Sequence, residues 1–222
     1  MNTQYLDRTA AGKVLGKNLK AKDWPEVPLI LAIPNGGLAV ALPLAKLLSA
    51  DLDLLIVRKL QIPFNPEAGF GALTSLGTVL LNQPLVDRMG LRDTEIQVVI
   101  EQTKTQIDDR KKAYKGLAGL FSPKSRVVVL VDDGLASGYT MLAAIDSVRQ
   151  LSPKHIVVAV PTASAGAVYK VRKRVDELIC PHVGSGVVFA VADAYERWYD
   201  VSDEEVIMLL REYRKARSKQ KA

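Results

Sequence analysis

Five consecutive apolar residues, Val127-Val128-Val129-Leu130-Val131, end in two acids, Asp132-Asp133, and pass through Gly134-Leu135-Ala136-Ser137-Gly138-Tyr139-Thr140 into a segment of helical periodicity. No other stretch restricts the fold so tightly. A strand that is apolar at every position must be covered on both faces, as in a parallel sheet flanked by helices. The short loop of small residues then turns the chain directly into a helix. That arrangement points the unpartnered N–H groups of the helix start, at the positive end of its dipole, toward the carboxyl edge of the sheet. Small residues let an anion approach the backbone, and Ser137 and Thr140 add hydroxyl donors. The run reads as a phosphate cradle.

The remaining chain supports an α/β architecture with a mostly parallel central sheet and helices on both faces. Further strands are expected at 28–33, 52–57, 78–81 and 155–160, and helices at 6–20, 38–48, 93–114, 140–150, 164–175 and 202–216. The last has a cap signal, Ser202 with Glu205 three residues on. Residues 59–75 hold Pro63, Pro66, Gly69 and Gly71 and are expected to be the longest irregular stretch, a mobile loop over a site. Beyond residue 176, short strands and the aromatics Phe189, Tyr195, Trp198 and Tyr199 suggest a small C-terminal cap. At 222 residues a single domain is expected, with its core at about 25–175, a flexible loop at 60–75 and the cap and tail at 176–222.

Composition closes several alternatives. Cys180 is the only cysteine and His155 and His182 the only histidines, so neither an internal disulfide nor a Cys/His metal cluster is expected. No apolar run approaches the ~20 residues of a membrane span. Residues 1–7 have no basic start followed by an apolar stretch, so a cytoplasmic location is expected. The net charge of +6 is concentrated in residues 211–222, where six basic side chains face Glu212 alone. That tail is read as a solvated, fraying helix end rather than a nucleic-acid arm.

The paired acids narrow the ligand. Beside a phosphate nest they would repel a bare anion, but they suit ribose hydroxyls, a magnesium ion or positive charge developing on a sugar ring. A receiver domain also ends a strand in paired acids, yet there the pair lies near the start, and here the strand at 155–160 leads into Val160-Pro161-Thr162 without an acid. A purely structural Asp-Asp-Gly turn is the plainer alternative. A Walker loop is absent, since no Gly-Lys-Ser or Gly-Lys-Thr follows.

The run resembles the phosphoribosyl pyrophosphate (PRPP) motif of the type I phosphoribosyltransferases. The likeness covers nearly the whole chain and is nearest to an uncharacterised bacterial and archaeal group of that family. It includes Ile33-Pro34-Asn35-Gly36-Gly37, Val57-Arg58-Lys59-Leu60, Asn65-Pro66-Glu67, Gly71-Ala72, Tyr114-Lys115-Gly116, and Trp198-Tyr199 with Ser202-Asp203-Glu204-Glu205-Val206. The resemblance implies a PRPP-dependent enzyme that moves the 5-phosphoribosyl group to a nitrogen acceptor, a nucleobase, and releases magnesium pyrophosphate. It also implies a homodimer. The rival is a non-catalytic protein that binds PRPP or a nucleotide and regulates a partner.

Residue by residue, the resemblance assigns Asp132 and Asp133 to the ribose hydroxyls, directly or through magnesium, and Ala136, Ser137, Gly138, Tyr139 and Thr140 to the 5-phosphate. Asn35, Gly36 and Gly37 fall in the pyrophosphate loop, where a strand leading into two glycines makes a second anion-ready turn. Arg58 and Lys59 are placed to meet pyrophosphate oxygens. Residues 60–75 correspond to a loop that closes over substrate, with Glu67 either a general base or a polar tip. Asn35 stands where the close group usually carries arginine, so a weaker electrostatic hold on pyrophosphate is expected. Trp198 and Tyr199 are expected to pack in the cap rather than stack on a base. His155 and Cys180 are expected to be structural.

Overall fold

The computed structural model describes residues 4–22, 24, 26–62, 65–184, 186 and 189–221. In chain order the elements are α1 (Arg8–Lys20), β1 (Leu29–Ala32), α2 (Gly36–Leu48), β2 (Asp51–Leu54), β3 (Val57–Ile62), β4 (Asn65–Thr74), β5 (Val79–Leu81), α3 (Gln83–Met89), α4 (Asp93–Ala113), β6 (Val127–Val131), α5 (Tyr139–Arg149), β7 (His155–Ala159), β8 (Thr162–Ser164), α6 (Ala165–Arg172), β9 (Glu177–Ile179), β10 (His182–Gly184) and α7 (Asp203–Lys221). A short 3-10 turn covers Val191–Ala194.

The central sheet has the order β2-β1-β6-β7-β9, with every pairing parallel. Its strands are apolar at nearly every position because they serve two cores. Ile30, Ala32, Val127, Val129, Val131, Val157 and Ala159 face one core, with Leu15 of α1 and Leu38, Val40, Ala41 and Leu44 of α2. Their neighbours Leu29, Leu31, Val128, Leu130, Ile156 and Val158 face the other, with Met141 and Ile145 of α5 and Val171 of α6. The two-residue alternation of strand side chains splits one apolar run between two faces. Each fully buried valine or leucine contributes about 1.5–3 kcal/mol. Close packing of α1 on α2 depends on Gly12, where a Cβ would lie 2.1 Å from the Val40 carbonyl oxygen.

Three expectations change. The stretch read as irregular is an antiparallel ribbon, β3-β4-β5, with residues 63 and 64 outside the described residues. Leu60, Phe70, Ala72 and Leu73 are buried there, and register shifts at Leu60/Gln61 and Gln61/Ile62 absorb the irregularity. The glycines that suggested a loop are places of close backbone approach: a Cβ on Gly71 would lie 2.5 Å from the Leu80 carbonyl oxygen. Second, 78–81 joins this ribbon rather than the parallel sheet, and 52–57 breaks at Leu55-Ile56 into β2 and the start of β3. Third, the basic tail is part of α7 and is not simply solvated. Val206, Leu210 and Tyr213 lie in the first core, and Arg214 and Arg217 pair with Asp53 at 3.7 Å and Asp51 at 3.5 Å.

Asp53 is 1% exposed and accepts backbone N–H bonds from Gly119 (2.9 Å), Leu120 (2.7 Å) and Phe121 (3.0 Å). This carboxylate ties the connection after α4 to the edge strand β2. Among the described residues no helix is long and apolar enough to cross a membrane.

Candidate functional site

Strands β1 and β6 lie side by side, yet the helices that follow them pack on opposite faces: α2 in the first core and α5 in the second. Such a switch point opens a crevice at the carboxyl ends of the two strands, the usual ligand position in open α/β sheets. The two turns singled out in the sequence meet there.

The first turn is 34–37, whose Pro34–Asn35 peptide is cis. Gly36 and Gly37 open α2, and both lie tight against their neighbours. A Cβ on Gly36 would lie 1.9 Å from Asp133 Oδ2, and one on Gly37 would lie 2.9 Å from the Val131 carbonyl oxygen. The turn after β1 and the acids after β6 are therefore in van der Waals contact.

The second turn is 134–138. Ala136 and Ser137 are exposed, and Gly138 takes a left-handed φ of 85° as it caps α5. Tyr139 and Thr140, in the first turn of α5, are half-buried. Carbonyl groups of this loop are held from the β8–α6 side. Ser164 N donates to Leu135 O (2.9 Å), Ser164 Oγ to Ala136 O (2.7 Å) and Lys170 Nζ to Ser137 O (3.2 Å). The Lys170 ammonium also lies 4.9 Å from the centre of the Tyr139 ring. With carbonyls engaged on one side, the first N–H groups of α5, which no helix start can satisfy internally, remain for a ligand. Ala136 and Ser137 are the accessible part of this turn, while Leu135 is anchored in the second core.

Asp132 and Asp133 are partly exposed at the crevice but closely surrounded. The Asp133 N–H donates to Asp132 Oδ1 (2.8 Å). Burial, together with the charge of Asp133, holds the Asp132 carboxyl well above the usual carboxylate range. Burial also raises Asp133, while Arg8 opposes that rise. Arg8 donates from Nε to Asp133 Oδ2 (2.8 Å) and from Nη1 to the Tyr199 carbonyl oxygen (2.8 Å). Its guanidinium carbon stands 3.8 Å from the centre of the Trp198 ring. The Tyr195 hydroxyl donates to the Asp133 carbonyl oxygen (2.6 Å), and burial pushes that hydroxyl up.

Asn35 does not face the crevice with its amide. Its Nδ2 donates to Val201 O (2.8 Å) and Asp203 Oδ1 (2.8 Å). Asp203 also accepts from the Tyr114 hydroxyl (2.7 Å) and pairs with Arg110 at 3.4 Å. Burial works against the Asp203 carboxylate, but Tyr114, Asn35 and Arg110 together hold it below its ordinary range.

Arg58 and Lys59 sit inside β3 rather than beyond the end of a sheet strand. Arg58 donates to Gln106 Oε1 of α4 (2.9 Å) and feels the charges of Arg110 and Asp203, so it neighbours the Asn35 cluster without touching it. Lys59 is exposed. The Glu67 side chain lies outside the described residues, although its backbone belongs to β4. Trp198 and Tyr199, expected to pack in the cap, are 39% and 52% exposed beside Arg8. His155 and Cys180 stand away from the crevice, at the start of β7 and just after β9. Cys180 Sγ contacts the His182 carbonyl oxygen at 3.1 Å, and burial raises the thiol to about 11.

Sequence reasoning missed Arg8 and Lys170 and left Asp203 without a role. Arg8 had one local signal: a cation at the first position of a helix opposes the dipole, so it needs a partner from elsewhere.

The family model described as "phosphoribosyl transferase domain" matches residues 2–194. Proteins from two strains of Mycobacterium tuberculosis, whose description as phosphoribosyl transferases is provisional, are 33% identical over 206 residues, 93% of this chain and 46% of theirs. The chain thus spans about half the length of these curated relatives. A solved protein of Thermus thermophilus superposes with a TM-score of 0.78 at 33% identity, covering 95% of this chain and 99% of that one. A protein of Aquifex aeolicus shares the fold alone, with a TM-score of 0.51 at 14% identity over 85% of each chain.

Proposed function

Because the chain belongs to the phosphoribosyl transferase domain family, we propose that it moves the 5-phosphoribosyl group of PRPP to a nitrogen acceptor, a nucleobase, with loss of pyrophosphate. The observation that carries this reading is the contact between two anion-binding helix starts and a pair of acids at one switch point. The N–H groups at 136–140 take the 5-phosphate, and the acids take the ribose hydroxyl edge. The turn at Asn35, Gly36 and Gly37 takes the pyrophosphate. Arg58, which lies near Arg110 and Asp203, and the exposed Lys59 are assigned to the pyrophosphate in this reading.

In this reaction the bond from C1 to the pyrophosphate oxygen breaks, that oxygen keeps the electron pair, and the acceptor nitrogen forms the new bond to C1. The acceptor's proton leaves to base or solvent. The sugar ring in the transition state resembles an oxocarbenium ion, so fixed carboxylates near it and donors at the leaving group matter more than a strong base. In this reading the ribbon that carries Glu67 covers the reacting atoms, and a homodimer is the working assembly.

Two adjacent carboxylates, with no third acid grouped beside them among the described residues, fit magnesium, which is commonly held by one or two carboxylates and the substrate's own phosphates. When bound, magnesium supplies positive charge to the diphosphate. Asp132 and Asp133 would hold it, directly or through the ribose hydroxyls.

One observation favours a second reading, a non-catalytic PRPP or nucleotide sensor. The Asn35 amide is committed to Val201 and Asp203, so the leaving-group turn gains no side-chain donor from it. Titration calorimetry of PRPP with magnesium, followed by pyrophosphate release across a panel of nucleobases, separates the two. Transfer predicts binding and release, and the sensor predicts binding alone. No binding overturns both. Asp132→Asn with Asp133→Asn is expected to fold and lose turnover, and an unchanged rate would remove the acids from their assigned role.

A further inference from the structure

Arg8 is the least expected charge in the protein. It is 6% exposed, it opens α1 where the helix dipole disfavours a cation, and its guanidinium is taken out of water. A buried ion pair is a poor stabilising device, since an apolar pair of similar volume usually does as well. Its surroundings indicate another role. Arg8 touches three separate parts of the crevice: Asp133 Oδ2 at 2.8 Å, the Tyr199 carbonyl oxygen at 2.8 Å and the face of Trp198 at 3.8 Å. It also borders the leaving-group turn, because a Cβ on Gly36 would lie 2.9 Å from Arg8 Nε. None of these partners is near Arg8 in sequence. The guanidinium engages one carboxylate oxygen of Asp133, Oδ2, and leaves Oδ1 to other partners.

We propose that Arg8 is a positioning residue of the sugar site, which occupies Oδ2 of Asp133 and thereby presents Oδ1 to the ribose hydroxyls. This inference rests on the phosphoribosyl reading of the crevice. Arg8 acts through Asp133, and pyrophosphate is not its ligand. Trp198 keeps the guanidinium in plane, and the bond to the Tyr199 carbonyl oxygen keeps the aromatic segment 195–199 against the acids. Trp198 and Tyr199 keep exposed aromatic surface beside this guanidinium.

The test uses calorimetry with two probes, ribose 5-phosphate and pyrophosphate, on wild type, Arg8→Met, Arg8→Lys, Asp133→Asn and the double variant Arg8→Met with Asp133→Asn. Methionine keeps the length and the stacking on Trp198 but not the donor. Arg8→Met should weaken ribose 5-phosphate by roughly tenfold, the scale of one charge-assisted hydrogen bond. It should leave pyrophosphate affinity within about twofold, and Arg8→Lys should recover part of the loss. In the Asp133→Asn background, Arg8→Met should add less than about twofold, because both changes remove one interaction. Should Arg8→Met alone fail to fold, the double variant compared with Asp133→Asn still gives this last reading. Additive losses would overturn the assignment, as would a loss confined to pyrophosphate or an unaltered ribose 5-phosphate affinity. Wild-type protein that binds PRPP but shows one of these patterns defeats the role of Arg8 alone. Wild-type protein that binds neither PRPP nor ribose 5-phosphate defeats the parent reading and this inference together.

Discussion

Asn35 Nδ2 donates to Asp203 Oδ1 at 2.8 Å, which fastens the turn after the first strand to the first residue of the last helix. Asparagine at this position works as a tether. The oxygen that receives it also receives the Tyr114 hydroxyl.

Removing the charge of Asp203 should therefore loosen the turn. Asp203→Asn is expected to cost about 1–2 kcal/mol, allowing for the solvent screening of a carboxylate that is one-third exposed. Because the folded-state carboxyl is held below its ordinary value, its contribution is complete above the unfolded value of about 3.9 and fades as pH falls through the folded value. Urea melts of wild type and variant should differ at pH 7 and converge below about pH 4. A gap that persists unchanged in acid would show that the charge was irrelevant.

Asp132 has the opposite sign. Its carboxyl is raised, so above the folded value this group costs the folded state stability, and that cost is relieved as pH falls through the folded value toward the unfolded one. Asp132→Asn should raise the melting temperature at pH 7.5 by about 2–4 °C, the shift that 1 kcal/mol produces in a chain of this size. The advantage should shrink in acid, as scanning calorimetry can follow. A lower melting temperature for the variant at pH 7.5 would contradict the assignment.

The two glycines of the turn after β1 should respond differently to alanine. At Gly36 the obstacles are side-chain atoms of Asp133 and Arg8, which can move aside. At Gly37 they include the Val131 carbonyl oxygen and the Asp132 Cα, which cannot move without the sheet. Gly37→Ala should cost about 1–3 kcal/mol in stability, while Gly36→Ala should keep most of its stability and lose ribose 5-phosphate affinity. Equal melting curves for the two variants would refute the distinction.

Asp53 should be the most sensitive acid outside the crevice. Asp53→Ala removes the acceptor of four backbone N–H groups, those of Leu54, Gly119, Leu120 and Phe121, and strands the partner charge of Arg214, at an expected cost of about 3–5 kcal/mol. Chemical denaturation would detect it, and a cost under about 1 kcal/mol would mean that water replaces the carboxylate freely.

The legible parts of this chain were those in which one short segment carries both the signal and the consequence. The run 127–140 specified its own strand, turn and helix, and the glycines at 36 and 37 did the same on a smaller scale. The ribbon at 57–81 was misread because its glycines answer to backbone on a neighbouring strand, which local composition cannot report. Arg8 escaped for the same reason: its partners are Asp133, Trp198 and Tyr199, all more than a hundred residues away. The basic tail looked solvated because Asp51 and Asp53, which neutralise part of it, lie on a strand remote in sequence.

The last helix meets both rims of the sheet. Its first residue grips Asn35 beside the crevice, and roughly three turns later Arg214 and Arg217 reach Asp53 and Asp51 toward the opposite rim. A continuous α-helix of that span, roughly 20 Å, is stiff along its axis. It behaves as a tie rod. A push on the far rim, such as a molecule wedged against Asp51 or a break in the Asp53 latch, would arrive at the turn after β1 as a lengthwise shift of one rigid body.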